Sequence, residues 1–145
     1  MNTEYRVLVT GSRSTRNDAP VARTLTGYLD VYGGRLRVAA GGMTGVDTLA
    51  ENCCKQLGIP FERYAVDHAL DGGWPGAGPR RNRRMHDVFR PHEVAAMPGG
   101  PGTASMIGIA RRAGTPVTQF KADGTKKAAG VAAGGQGLRS SAANT

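Results

Sequence analysis

Acidic side chains, cysteine, large aliphatics and aromatics are all scarce in this 145-residue chain, and each shortage excludes something. Asp and Glu number 11 against 19 Lys and Arg, a formal charge of +8. The imbalance is local: residues 1–77 hold 8 basic and 8 acidic side chains, whereas residues 78–145 hold 11 and 3. A surface of that sign attracts phosphate-bearing partners, whether nucleotides, nucleic acid or a membrane surface. The two cysteines, Cys53 and Cys54, are adjacent and by themselves make neither a disulfide framework nor a zinc site. No apolar run approaches the roughly 20 residues that span a bilayer, and the start lacks the apolar region of a signal peptide. The expectation is a cytoplasmic protein with no membrane partner, no metal and no cofactor.

Leu, Ile, Val and Phe together number only 25, a proportion low enough to raise the question of disorder. Only two of them, Val131 and Leu138, fall in residues 121–145, where 12 of 25 residues are Gly or Ala. The expected organisation is therefore a core domain over residues 1–120 and a flexible Gly/Ala/Lys tail over 121–145.

Within the first 120 residues, apolar periodicity switches regularly between two and 3.6. Tyr5 to Thr10 reads as a strand ended by Gly11. Asp18-Ala19-Pro20 opens a helix with Val21, Leu25, Tyr28, Leu29 and Tyr32 inward, closed by Gly33-Gly34. Leu36–Ala40 is a second strand. A second helix carries Val46, Leu49, Ala50, Cys53 and Leu57, and Phe61–Val66 is a third strand. Residues 67–79, rich in Gly and Pro, read as irregular. A helix over 80–89 with Met85, Val88 and Phe89 inward follows, then a strand over 93–97. Thr103 caps a last helix with Met106, Ile107 and Ala110 inward, before a strand over 116–120. Alternation of this kind predicts an α/β, Rossmann-like three-layer sandwich with a five-stranded, mainly parallel sheet; the order taken for it is 3-2-1-4-5, which makes strands 1 and 4 neighbours.

Glycine is the residue in surplus, at 22, and it gathers in the turns after strands 1, 2 and 4. These are Gly11-Ser12-Arg13, Gly41-Gly42-Met43-Thr44-Gly45 and Pro98-Gly99-Gly100-Pro101-Gly102-Thr103. In a parallel sheet all three lie at the carboxyl edge, where open α/β sheets bind ligands. Glycine lets backbone N–H groups approach a phosphate, and a following helix N-terminus adds partial positive charge. The spacing matches neither the nucleoside triphosphatase phosphate loop nor the dinucleotide fingerprint.

Other candidates surround these turns. Asp47 reads either as an acceptor for ribose hydroxyls or a base, or as a first-turn aspartate serving the helix dipole. Arg81 and Arg84 share a helix face beside Asn82, as a phosphate clamp, a solvated basic face or an oligomer contact. Trp74 either stacks on a base or closes the site as a lid, or else anchors its loop against the body. Ser12 has no histidine placed to make it a nucleophile.

Those turns, with Gly78-Pro79-Arg80-Arg81-Asn82-Arg83-Arg84-Met85, resemble in order the SLOG superfamily, in particular its YpsA-related branch of small bacterial and phage proteins. The resemblance covers residues 5–120. The superfamily also holds the lysine decarboxylase-like phosphoribohydrolases and the DNA-processing protein DprA. The resemblance implies a nucleotide or phosphate site of Gly11, Ser12, Arg13, Gly41, Gly42, Gly45, Asp47, Arg81, Asn82, Arg84, Pro98, Gly99, Gly100, Gly102 and Thr103. It also implies a homodimer or higher homo-oligomer.

The hydrolase motifs are incompletely kept. Asn82 stands where those enzymes have lysine, and Met106 where they have the glutamate that helps to break the N-glycosidic bond. Positive charge developing on ribose is stabilised by a carboxylate and not by a thioether. Binding of a phosphorylated nucleoside, by a sensor or sequestering protein, is thus expected ahead of two alternatives. One is a phosphoribohydrolase using Arg81 and Asp47, which releases free base and ribose 5-phosphate. The other is DprA-like binding of single-stranded DNA.

Overall fold

The computed structural model describes residues 3–128. Its elements are β1 (Tyr5–Thr10), α1 (Ala19–Tyr32), β2 (Leu36–Ala40), α2 (Val46–Leu57), β3 (Phe61–Arg63), α3 (His68–Asp71), α4 (Ala77–Phe89), β4 (Glu93–Ala96), α5 (Pro101–Arg112) and β5 (Val117–Gln119). All five strands run parallel in the order β3-β2-β1-β4-β5. The chain winds outward from β1 to β3, then returns to place β4 on the other side of β1. A crevice therefore opens at the carboxyl ends of β1 and β4.

Alternation along the strands sorts the core into two layers. Val7 and Val9 of β1, Val38 of β2 and Ala95 of β4 pack with Val21, Leu25, Val46 and Ala50 from α1 and α2. Leu8, Ala39 and Val94 point the other way, against Met85 and Phe89 of α4 and Met106, Ile109 and Ala110 of α5. Each fully buried aliphatic among them contributes about 1.5–3 kcal/mol. Cys54, beside Cys53, is fully buried in the first layer.

The departures from the expected elements have local causes. β3 stops at Arg63 rather than Val66 because the next two carbonyls leave the sheet: Tyr64 O accepts from Arg81 and Ala65 O from Arg84. The segment 67–79 is partly regular. Asp67 caps α3 by accepting from Ala69 N–H at 2.9 Å, and α4 begins at Ala77, with Pro79 tolerated in its first turn. Val88 faces solvent, at 61% exposure, and Ile109 rather than Ile107 completes the buried face of α5. Gly100, not Thr103, is the N-cap of α5. Asp18 is the N-cap of α1 without a side-chain bond, and Asn17 Oδ1 accepts from Ala19 N–H instead.

Past Phe120 the described chain turns back on itself. Lys126 bridges antiparallel to Phe120, and Gly124 accepts a bond from Thr24 Oγ1 at 3.2 Å. The rest of the expected tail, residues 129–145, lies outside the described residues. Among the described residues, no helix is long and apolar enough to cross a membrane.

Candidate functional site

The three glycine-rich turns are bonded to one another. Ser12 is the junction: its N–H donates to Pro98 O at 3.0 Å, and its carbonyl accepts from Val46 N–H at 2.9 Å. Thr44 Oγ1 donates to Arg13 O at 3.1 Å. Two glycines make this approach possible. A Cβ on Gly11 would lie 2.6 Å from Val46 Cγ2, and one on Gly45, at φ +81°, would strike the Ser12 and Arg13 backbone.

Together the turns, α4 and the segment before it enclose a cavity of about 710 Å³, within the range of small-molecule sites. Of the expected site residues, Gly11, Ser12, Arg13, Gly41 and Asp47 line it, as do Arg81, Asn82, Gly100, Gly102 and Thr103. Gly42, Gly45, Arg84, Pro98 and Gly99 do not. Pro98 and Gly45 hold the turns together, and Gly99 lies against Thr103, where a Cβ would meet its hydroxyl.

Arg84 is turned to a different task. Its Nε and Nη2 grip the two oxygens of Asp71 at 2.9 and 2.8 Å, and Nη2 also reaches Ala65 O. Arg80 donates to Asp71 O and Gly73 O. Asp71 is 1% exposed, and the Arg84 guanidinium holds its carboxyl down to about 2. The two arginines staple residues 71–76 onto α4.

Arg81 is 6% exposed. Its Nη1 donates to Gly41 O and to Tyr64 O, and its Nε to Asn82 Oδ1 at 3.0 Å. Asn82 in turn reaches Gly102 O and Ser105 Oγ, which ties α4 to the first turn of α5. Among the described residues, Arg81 forms no ion pair with a carboxylate. Burial lowers its pKa and the nearby Asp47 charge works against that shift. Burial likewise raises the Asp47 carboxyl, opposed by hydrogen bonds from Met43 and Gly41 N–H and by the charges of Arg81 and Arg13.

The first turn of α5 is a second electropositive point. Its first closed bond runs from Ala104 N–H to Gly100 O, so the preceding amides of Gly102 and Thr103 have no intrahelical partner. The Thr103 hydroxyl is buried without any hydrogen-bond partner, on a residue 5% exposed that lines the cavity. Met106, at the position of the hydrolase glutamate, has zero exposure and belongs to the core.

Arg16 also lines the cavity with Arg13, and Pro75, Gly78 and Pro79 line it with Trp74. The sequence offers Trp74 as a base-stacking candidate, but the Pro and Gly residues around it read only as irregular.

Strand order, strand direction and the position of the cavity define a doubly wound, Rossmann-like α/β domain with its site at the topological switch point. No family model matches the chain, and no curated protein matches it. Solved structures do. DprA from Streptococcus pneumoniae superposes with a TM-score of 0.61 at 19% identity, over 81% of this chain and 50% of that one. DprA from Helicobacter pylori, described with a single-stranded DNA binding mode, gives 0.61 at 17%, over 82% and 65%. The Moco carrier protein from Chlamydomonas reinhardtii gives 0.53 at 19%, over 86% and 78%. This chain thus spans half to just under two thirds of the DprA proteins it resembles. At such identities the likeness is one of fold.

Proposed function

We propose that this chain binds a phosphorylated nucleoside, or a signal derived from one, at the carboxyl edge of its sheet, as a sensor or sequestering protein of the YpsA-related SLOG branch. The observation that carries the reading is Arg81, a buried cation lining the cavity that, among the described residues, bonds to carbonyl oxygens and to no carboxylate. Burying a charge is expensive, the nearby Asp47 offsets only part of that cost, and an arriving phosphate offsets more of it with charge-assisted hydrogen bonds. The free amides of α5 and the Thr103 hydroxyl supply neutral donors to the same anion. Asp47 is placed to accept from ribose hydroxyls. The neighbours support a ligand of this kind: one is described binding single-stranded DNA and another is a carrier of Moco.

Asp47 also favours a second reading, hydrolysis of a nucleoside 5′-monophosphate by water to free base and ribose 5-phosphate. It is a buried carboxylate beside Arg81 with a raised pKa, as a base requires. Met106 offers no replacement for the missing glutamate.

Native mass spectrometry of the full chain with nucleoside mono-, di- and cyclic phosphates tests both. An adduct at the intact nucleotide mass is expected. Ribose 5-phosphate on the protein with free base in solution would establish the hydrolase instead. Absence of any adduct, with salt-sensitive capture of oligothymidylate, would replace both readings with single-stranded DNA binding.

A further inference from the structure

The staple of Arg80, Arg84 and Asp71 leaves one residue without a structural task. The segment 72–76 is held through the carboxylate and carbonyl of Asp71 and the carbonyl of Gly73, so the Trp74 side chain is not needed to anchor it. Yet Trp74 lines the cavity and is 55% exposed. An indole that size is ordinarily mostly buried. It meets the His68 ring edge-on, with centroids 6.1 Å apart. Behind it lies Gly78, where a Cβ would come 3.4 Å from the ring. Pro75 and Pro79 extend the same apolar wall.

The cavity lining therefore has two unlike parts. Arg13, Arg81 and Thr103 give part of the lining a polar and cationic character, and Trp74, Pro75 and Pro79 give another part an aromatic and apolar one. Resting on the phosphate reading above, we infer that Trp74 is the stacking platform for the ligand's nucleobase. The ligand class is then a base-bearing nucleotide, not a sugar phosphate or free phosphate. Residues 72–79 (Gly-Gly-Trp-Pro-Gly-Ala-Gly-Pro) offer no side-chain hydrogen-bonding group besides the indole N–H. This wall reads the face of a base and not its edge, because every base presents a π-face. Purines, with the larger face, bind more tightly than pyrimidines, and adenine and guanine are held alike.

Trp74 is the chain's sole tryptophan, so intrinsic fluorescence reports on this wall directly. AMP and GMP are titrated into the full-length protein, with ribose 5-phosphate and inorganic phosphate as base-free probes. The expected result is quenching by AMP and GMP, with none from ribose 5-phosphate, although ribose 5-phosphate competes with AMP for the site. Trp74→Ala loses about ten- to a hundredfold in AMP affinity by calorimetry. It leaves the affinity for ribose 5-phosphate unchanged, and Trp74→Phe recovers most of the loss. If Trp74→Ala binds AMP as tightly as the wild type, or ribose 5-phosphate quenches as AMP does, the stacking assignment is overturned and the phosphate site stands. If neither AMP, GMP nor either base-free probe binds the wild type, the phosphate reading falls and the platform with it.

Discussion

Both ends of the sheet bury a charged side chain, and they treat it in opposite ways. At the amino edge, Glu93 of β4 accepts from the hydroxyls of Tyr5, at 2.6 Å, and Tyr28. Tyr5 stacks on Tyr32 with centroids 3.8 Å apart. Burial and the Glu93 carboxylate push both phenols, Tyr5 and Tyr28, well above their ordinary pKa. Arg37, at the same edge, leaves its Nε without a partner, but its charge is met by Glu4 and Glu62. At the carboxyl edge, among the described residues, Arg81 bonds to carbonyl oxygens and to no carboxylate, and the Thr103 hydroxyl has no partner. A satisfied polar group is part of the scaffold. One left short costs about 1–3 kcal/mol that the fold alone does not recover, and a ligand that supplies the missing partner recovers it.

The largest effect belongs to the scaffold end. Glu93→Leu strands the hydroxyls of buried Tyr28 and half-buried Tyr5 and is expected to lower stability by about 3 kcal/mol in chemical denaturation, with nucleotide affinity unchanged wherever the variant is folded. The converse change sharpens the contrast. Thr103→Val replaces a partnerless hydroxyl with a methyl group of similar size, so stability should rise by about 1 kcal/mol. Nucleotide affinity should fall about tenfold, the worth of one hydrogen bond to a charged group. If Thr103→Val instead weakened the fold and spared binding, the two ends of the sheet would not differ in the way argued.

The scaffold end and the glycine turns were legible in the sequence for a common reason. Both are written in local signals, with a β-branched run at Tyr5–Thr10, an apolar stretch at Leu36–Ala40 and glycines where strands must turn into helices. The parallel sheet followed from alternation, because parallel crossovers leave few topologies, and the order taken for it is the one observed. The stapled wall was not legible. Glycine and proline over 72–79 masked α3 and the first turn of α4, and the Asp71–Arg84 pair spans 13 residues with no periodicity to announce it. Arg84 therefore read as a phosphate ligand, whereas in the structure it faces Asp71. Thr103 shows a similar limit: its position was visible, but a hydroxyl's lack of a partner is a tertiary fact.

A smaller effect distinguishes the two carboxylates of the carboxyl edge. Asp47 is raised by burial, so the folded state holds its proton more firmly than the unfolded chain does. Its contribution to stability thus declines as pH rises from about 4, the unfolded value. Asp47→Asn should remove that decline. The difference in melting temperature between variant and wild type should therefore widen in the variant's favour from pH 4 to pH 7. A constant difference across that range would show that Asp47 is not held as a costly buried charge.

Asp71 runs the other way, and its effect is the most local. Its carboxyl is held near 2 in the folded state, below the unfolded value of about 4. The stabilisation it gives is complete above pH 4 and is lost as pH falls through 2. Protonation weakens both bonds to Arg84 and the bond from Asp67 N–H, at 2.8 Å. It leaves intact the Arg80 bonds to the Asp71 and Gly73 carbonyls. The wall should therefore loosen before the sheet unfolds. Between pH 4 and pH 2, the Gly72 amide, bonded to His68 O, is expected to lose protection relative to its intrinsic exchange rate while Val7, Leu8 and Val9 of β1 stay protected. Asp71→Asn should show the same pattern at pH 7 and weaken AMP severalfold by unsettling Trp74. Exchange that quickened equally in β1 and in the wall would mean that the Asp71–Arg84 pair supports the whole fold and not one wall of the cavity.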